Sequence, residues 1–187
     1  MSKTFPICYG FLAIFCILGI NYVEAKAPID TKQNLERTHQ LTEKNKAILR
    51  EFMEEIWNKG NLDVADKFIS TPYVIHSDPG DPWDGQSLDL SAFKKRVLHS
   101  RQIFPDLHFA VQEIIGEGDK VAISWYLEGT QKGDIPGLPV TGKKVKVPGL
   151  TIYSFSKGKI TGHWQVIDRL SFMQQVMPKE NSERKVK

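Results

Sequence analysis

The first half of the chain carries apolar residues at helical spacing. Ile48, Phe52 and Ile56 follow one another at intervals of four residues, so they share one face of a predicted helix. A short second helix is predicted over residues 61–69. A third helix is predicted over residues 88–102, where apolar residues again recur every three or four positions.

The second half of the chain alternates between apolar and polar residues, which is the pattern of half-buried β-strands. One short strand precedes the third helix, and four strands joined by glycine-containing turns follow it. The predicted strands cover residues 72–76, 108–115, 120–130, 143–155 and 160–168. This order of elements predicts an α+β fold in which N-terminal helices pack on one face of a curved, mostly antiparallel sheet.

The N-terminus has a different composition from the rest of the chain. Lys3 is followed by a mostly apolar run over residues 5–20, and short residues precede Ala25. This pattern predicts a secretory signal peptide over residues 1–25, cut after Ala25, and therefore a secreted or periplasmic protein that leaves the membrane after cleavage. An uncleaved membrane anchor is the alternative, but a run of about 16 residues is short for a bilayer span, which needs about 20.

The segments on either side of the predicted domain are polar. Residues 26–40 lack periodic apolar positions and are predicted to be a linker or a frayed helix start. The folded domain is predicted to cover residues 41–177. Residues 178–187 combine several basic side chains with almost no apolar ones, which predicts a disordered, solvated tail.

Composition argues against several kinds of site. Both cysteines lie within the predicted signal peptide, so the mature chain has no disulfide, thiol nucleophile or cysteine metal site. The five histidines form no spaced pair with a carboxylate typical of zinc or iron, so no metal is expected. The net charge of +3 lies mostly in the tail, whereas nucleic-acid binding normally requires a concentrated basic face.

Asp168 is the candidate for acid–base chemistry. A regular strand places Ile160, Trp164 and Asp168 on one face, because side chains alternate along a strand. If that face lines an apolar cavity, the pKa of the Asp168 carboxyl rises and the group becomes a useful proton carrier near neutral pH. The alternative is that Asp168 is the N-cap of a closing helix over residues 169–176. His163 lies on the opposite face, a placement that a β-bulge would reverse.

Other residues are candidates for substrate binding. His76, with Asp78 close behind it, ends the short strand at a loop, where both could line a pocket mouth; a loop histidine bonded to nearby backbone is the alternative. Trp83 is a candidate lid in that loop, or only its anchor. Trp125 and Trp164 are each predicted to form a pocket wall, which ordinary core packing would also explain.

Several short motifs occur in an order that identifies a family. The motifs are N-K-G-N-L-D at 58–63, V-I-H-S-D-P at 74–79, F-P-D-L at 104–107, G-D-K-V-A at 118–122, G-T at 129–130, T-G-K-K-V at 141–145 and G-K-I-x-x-H-W-x-x-x-D at 158–168. In these motifs the chain resembles the SnoaL-like polyketide cyclases, also called ester cyclases, of the nuclear-transport-factor-2-like superfamily, over about residues 45–175.

The resemblance implies a cone-shaped fold whose bent sheet and helices enclose a pocket. It also implies that a strand-borne aspartate, which matches Asp168, acts as general acid/base in an intramolecular aldol ring closure without metal or organic cofactor. A homodimer through the outer sheet face is implied as well. Many relatives carry histidine after the G-T pair, where this chain has Gln131, whose amide forms hydrogen bonds but cannot titrate, so the resemblance implies no second acid–base group at this position.

Two functions follow from the sequence. The first is a secreted, cofactor-independent cyclase, isomerase or dehydratase that acts on a small, largely apolar carbonyl compound, with Asp168 as acid/base and Gln131 among the substrate-binding residues. The second is a non-catalytic secreted domain that binds a small hydrophobic ligand or dimerises. The fold alone does not choose between them, because it hosts both catalysts and binding domains.

Overall fold

The computed structural model describes residues 31–177. The predicted signal peptide with its cleavage site, the first five residues of the predicted linker, and the predicted basic tail lie outside the described residues. The signal peptide, export and the tail therefore stay predictions.

Four α-helices lie within the described residues. They are α1 (Thr31–Phe52), α2 (Ala65–Phe68), α3 (Leu90–Ile103) and α4 (Arg169–Val176), with a π-helical segment Met53–Asn58 and a 3₁₀ turn Leu62–Val64 after α1. The side chain of Asp89 caps α3 by accepting a hydrogen bond from the Ala92 N–H. No helix within residues 31–177 is both long and apolar enough to span a membrane.

Helix α1 decides between the two interpretations of the polar segment over the residues described. It begins at Thr31, so residues 31–40 are the start of a helix and not a linker. All of these residues are exposed, including Leu35. This part of the helix packs against no core residue within 31–177, which is why its sequence shows no apolar period.

The sheet has six strands in the order β2-β1-β6-β5-β4-β3. Their bounds are β1 Ile69–Ser77, β2 Ser87–Leu88, β3 His108–Glu117, β4 Lys120–Thr130, β5 Lys144–Ser156 and β6 Lys159–Ile167. Strand β1 pairs parallel with β6, and every other neighbouring pair is antiparallel. The sheet stays open, and the predicted α+β, cone-shaped architecture is confirmed.

A β-bulge near the start of β6 decides which residues face inward. Ile160 pairs with Phe155 and Gly162 pairs with Ser154, so Thr161 is one residue too many on the β6 side. Beyond this point the alternation has shifted by one position. His163 is buried and Gln165 and Ile167 turn to the cavity, whereas the residues between them are exposed. The exposed residues between them are Trp164 and Val166, and Asp168, which follows Ile167, is exposed as well.

The core lies between the helices and the inner face of the sheet. Leu49 and Phe52 of α1 and Phe93 and Val97 of α3 are fully buried, as are several residues of the sheet. The sheet residues include Tyr73, Ile75, Val121, Ile123 and Ile160. Burial of this apolar surface is the main force that holds the helices on the sheet.

Candidate active site

A cavity of about 200 Å³ opens between α3, α4 and the inner face of the sheet. Aromatic and aliphatic side chains form most of its wall, including Trp57, Phe104, Phe109, Trp125, Val147 and Phe172. One side is polar and includes Asp78, Asp81, Arg96 and Gln165, with Arg169 and His99 also among the lining residues. Apolar walls with a few convergent polar groups are the usual composition of small-molecule sites.

The polar side is organised around the guanidinium of Arg96, which is almost fully buried. Its Nη2 donates to Asp78 Oδ2 at 2.7 Å, and its Nε donates to Asp81 Oδ2 at 2.9 Å. The guanidinium carbon also lies 5.2 Å from the ring centre of Trp57. Two carboxylates and an aromatic face therefore hold one cation in place at the cavity wall.

Both charges of the Arg96–Asp78 pair are retained in the folded protein. Burial raises the pKa of Asp78, but nearby His163, Arg96 and Gln165 outweigh burial, so the net pKa is lowered. Burial likewise lowers the pKa of Arg96, and Asp81 and Asp78 outweigh it, so the net pKa is raised. Asp78 is therefore a carboxylate near neutral pH.

A chain of hydrogen bonds fixes the orientation of this carboxylate. Gln165 Nε2 donates to Asp78 Oδ2 at 2.9 Å, and Gln165 Oε1 accepts from the Thr151 hydroxyl at 2.9 Å. The Thr151 hydroxyl oxygen in turn accepts from the Trp125 indole N–H at 2.9 Å. The indole lies over Gly149, where an added Cβ would overlap its six-membered ring. The back wall of the cavity is thus tied to its polar side.

His163 lies behind the carboxylate and does not line the cavity. Its Nδ1 is 2.7 Å from the Tyr73 hydroxyl, and its Nε2 is 3.7 Å from Asp78 Oδ2, too long for a hydrogen bond. The Nε2 atom is buried and has no hydrogen-bond partner in the part of the chain that the structure describes. Burial lowers the pKa of His163, so the ring is neutral, and the favourable tautomer has its N–H turned toward Asp78.

The two oxygens of Asp78 have different surroundings. Oδ2 accepts hydrogen bonds from Arg96 and Gln165, while no residue in the 31–177 range donates to Oδ1. Because Asp78 lines the cavity, one carboxylate oxygen remains for a bound molecule. Asp81 differs, since it binds Arg96 through Oδ2 and the Trp83 backbone N–H through Oδ1.

The structure brings only some of the predicted site residues to the cavity. Trp125 lines it as predicted. Trp83 lies next to it, half-buried, with its ring 5.5 Å from that of His99, a lining residue. Asp78, placed by its sequence position at a pocket mouth, lines the cavity and is buried.

Asp168 does not lie where the regular-strand argument placed it. Its side chain is exposed, does not line the cavity and accepts a hydrogen bond from the Ser171 N–H at 2.8 Å, so it is the N-cap of α4. The prediction of an apolar setting for this carboxyl is wrong. The physical reason is the extra residue Thr161, which turns the following residues of β6 over.

Three further candidates also lie away from the cavity. His76 and Trp164 stack on each other on the exposed side of the sheet, with ring centres 5.6 Å apart, so neither forms a pocket wall. Gln131 is fully buried, but its amide binds the Pro139 carbonyl and the Thr141 hydroxyl. It closes the loop between β4 and β5 and does not contact the cavity.

The residues that the sequence reasoning missed had weak signals. Arg96 lies three residues after Phe93 and one before Val97, so it is a cation on the buried stripe of α3, which is a recognisable exception to the apolar pattern. The inward orientation of Gln165 and His163 could be predicted only with knowledge of the β-bulge at Thr161. Within residues 31–177 no group of three or more histidine, cysteine, aspartate or glutamate side chains is arranged to hold a metal ion.

The chain is similar to several proteins of known structure. A proposed polyketide cyclase from Acidithiobacillus ferrooxidans is 45% identical, with a TM-score of 0.67 over 71% of this chain and 94% of that chain. IdmH, a proposed polyketide cyclase from Streptomyces antibioticus, is 26% identical, with a TM-score of 0.59 over 70% of this chain and 96% of that chain.

Similarity extends to a protein with a different proposed activity. AclR, a proposed hydroxylase from Streptomyces galilaeus, is 26% identical, with a TM-score of 0.60 over 74% of this chain and 87% of that chain. No curated protein sequence matches significantly. The sequence model of the SnoaL-like polyketide cyclase family matches residues 47–176. With nearly the whole described domain covered by that match, the chain belongs to the SnoaL-like polyketide cyclase family.

Proposed function

We propose that the protein is a cofactor-independent enzyme of the cyclase or isomerase type. It takes a proton from a carbon next to a carbonyl group in a small, largely apolar compound, and Asp78 is the base. The family membership supports the reaction class. The observation that carries the proposal is the Asp78 carboxylate, which is buried at an apolar cavity with one oxygen fixed and the other without a donor among residues 31–177.

The chemistry of Asp78 limits the substrate. Its pKa is lowered, so it is a weak base and needs an acidic C–H group, such as a carbon between two carbonyls. The C–H bond breaks, the proton moves to Asp78 Oδ1, and the electron pair delocalises onto the carbonyl oxygen. The carbanion carbon then attacks a second carbonyl in the cyclase reaction, and Asp78 returns the proton to the new alkoxide oxygen.

Other lining residues support this step. Burial raises the pKa of Tyr153, so its hydroxyl stays protonated. The hydroxyl donates to Met53 Sδ at 3.7 Å, a weak acceptor that a substrate oxygen in the cavity would replace. The Trp57 and Trp125 rings exclude water, which strengthens the interactions of the charged groups with the substrate. Holding the reacting carbon near Oδ1 supplies the positional part of catalysis.

Hydrogen exchange tests the role of Asp78. The neutral β-keto ester ethyl 2-oxocyclohexanecarboxylate has one acidic C–H, whose replacement by deuterium is followed by NMR in D₂O. We expect the protein to accelerate this exchange and Asp78→Asn to lose about 10²- to 10⁴-fold of the acceleration. Asp168→Asn is the matched control and keeps the wild-type rate. An Asp78→Asn variant with the wild-type rate would overturn the assignment.

A non-catalytic binding domain is the second candidate. The low basicity of Asp78 and its pairing with Arg96 are compatible with a wall that only recognises a polar end of a ligand. Under this alternative the wild-type protein binds the keto ester, as measured by calorimetry, and leaves its exchange rate unchanged.

The outer sheet face is the proposed contact with a second copy of the chain. Leu150 lies opposite Val166 and Ile152 lies opposite Trp164 on β5 and β6, and all four are exposed. Trp164 is 54% and Val166 is 62% exposed, so together with their neighbours they form an apolar patch. Light scattering should give a dimer mass for the wild type and a monomer mass for Val166→Lys; a monomeric wild type would contradict the proposal.

A further inference from the structure

We propose that Arg169 is a second catalytic residue, which holds the oxygen of the enolate, and that the substrate is a neutral carbonyl compound no larger than about one ring. This inference rests on the proposed function, because it concerns the anion that forms when Asp78 takes the proton. Proton transfer breaks one C–H bond, forms one O–H bond on Asp78 and leaves the negative charge on the substrate oxygen.

Arg169 lies at the mouth of the cavity, two residues after Ile167, which also lines it. The guanidinium packs flat against Gly80: a Cβ added there would lie 2.6 Å from Nη1 and 2.7 Å from Nη2. Gly80 has φ +86°, a backbone conformation that glycine adopts at low cost. Absence of a side chain at position 80 therefore gives Arg169 its place beside the Asp78–Asp81 loop.

The guanidinium of Arg169 has no anionic partner among the described residues. Arg96 binds two carboxylates, but no hydrogen bond or salt bridge joins Arg169 to any side chain within residues 31–177. Its five N–H donors form a planar fork that suits a carbonyl or enolate oxygen. A cation that lines a cavity and lacks an ion pair is suited to an anion that forms there.

The charges balance if the substrate is neutral. Asp78 and Asp81 carry two negative charges, and Arg96 and Arg169 carry two positive charges, so the lining is neutral overall. After proton transfer Asp78 is neutral and the enolate carries the negative charge, and the total is again zero. An anionic ligand adds one uncompensated negative charge as long as Asp78 is ionised, so we expect it to bind the wild-type protein more weakly than it binds a variant without that charge.

The volume limits the size of the substrate. An engineered apolar cavity of about 150 Å³ in another protein binds benzene. The cavity here, at about 200 Å³, holds one ring with a few substituents. It is below the range of about 300–1,000 Å³ typical of drug-sized ligands, so a fused polycyclic compound does not fit within its walls.

Binding of 4-nitrophenol tests the inference without turnover. Its phenolate resembles an enolate, and its absorbance differs from that of the neutral phenol, so the bound form can be read directly. We expect the wild-type protein to bind the phenolate, and Arg169→Gln to weaken phenolate binding about 10-fold while neutral phenol binding changes little. Arg169→Lys should restore part of the loss. Arg50→Gln, an exposed α1 residue, is the control of equal charge change.

The outcomes separate this inference from the proposed function. Equal phenolate affinity in the wild type and Arg169→Gln would overturn the role of Arg169, whatever the exchange experiment shows. Asp78→Asn should raise phenolate affinity, because it mimics the protonated base; no rise would count against Asp78 as the base and leave Arg169 unaffected. Tight binding of 9-anthrol, a three-ring phenol, or no binding of 4-nitrophenol in either form would overturn the one-ring limit.

Discussion

The two faces of β6 carry opposite chemistry within one short strand. On the inner face His163 and Gln165 are polar and adjoin the buried Arg96–Asp78 pair. On the outer face Trp164 and Val166 are apolar and exposed. The usual rule of apolar inside and polar outside is reversed here. We propose that this reversal reflects a ligand bound on the inner face and a second copy of the chain on the outer face.

The strongest test of this contrast removes the cation behind the inner face. Arg96→Met leaves two carboxylates at the cavity without their common partner, so we expect the free energy of unfolding to fall by about 3–5 kcal/mol. Urea unfolding measures this. Lys146→Met, which breaks the exposed pair with Glu128, should have a far smaller effect. Equal losses in the two variants would show that the inner cluster contributes nothing special to stability.

A smaller loss of stability is expected for a substitution at Gly162, where β6 lies close to β1. An added Cβ at Gly162 would overlap the Val74 carbonyl oxygen, so Gly162→Ala must separate the two parallel strands. We expect a loss of about 1–3 kcal/mol in thermal unfolding. Gly116→Ala, whose nearest neighbours would lie at 3.1 to 3.4 Å, should cost less. An unchanged melting temperature in Gly162→Ala would contradict the close approach of these strands.

The outer end of the strand gives the next prediction. Asp168→Ala removes the N-cap of α4 and should cost about 1 kcal/mol in unfolding free energy. Asp168→Asn should restore most of that stability, because asparagine is an equally good cap. Both variants should keep wild-type 4-nitrophenol binding. Loss of 4-nitrophenol binding without loss of stability would show that Asp168 belongs to the binding site and contradict this prediction.

The smallest effect is a change in the pH dependence of stability. Burial lowers the pKa of His163 below its ordinary value of about 6.5, so the unfolded state binds a proton there that the folded state does not. Stability should therefore fall as the pH drops below about 6.5 toward the folded-state pKa. In His163→Gln this fall should be shallower. Chemical unfolding at several pH values measures the difference, and parallel curves would contradict a neutral buried His163.

Most of the fold could be predicted from the sequence because it rests on periodicity. The alternation in β3 to β5 and the apolar stripe of α3 specify their elements without reference to anything distant. The first ten residues of α1 could not be predicted in this way, since they are exposed on all sides and carry no apolar period. Here helix propensity alone distinguishes helix from linker.

The site was less accessible to prediction, because it depends on a local irregularity. Nothing in the sequence around Thr161 marks it as the extra residue of a β-bulge, because the bulge is defined by how β6 pairs with β5 in the assembled sheet. That single residue moves Asp168 out and Gln165 in. Arg96 was in principle visible as a charge on a buried stripe, but its partners Asp78 and Asp81 come from a loop that the sequence does not place.

Because Trp125 packs against Gly149, the residue at position 149 influences the size of the ligand that fits, although it does not line the cavity. The indole occupies the space that any larger residue at 149 would need. A methyl group there would push the ring forward and shorten the binding chamber, while the charged groups at its mouth stay in place. A substitution at position 149, whether evolved or engineered, can therefore change which ligands fit the cavity without changing any residue that contacts the ligand.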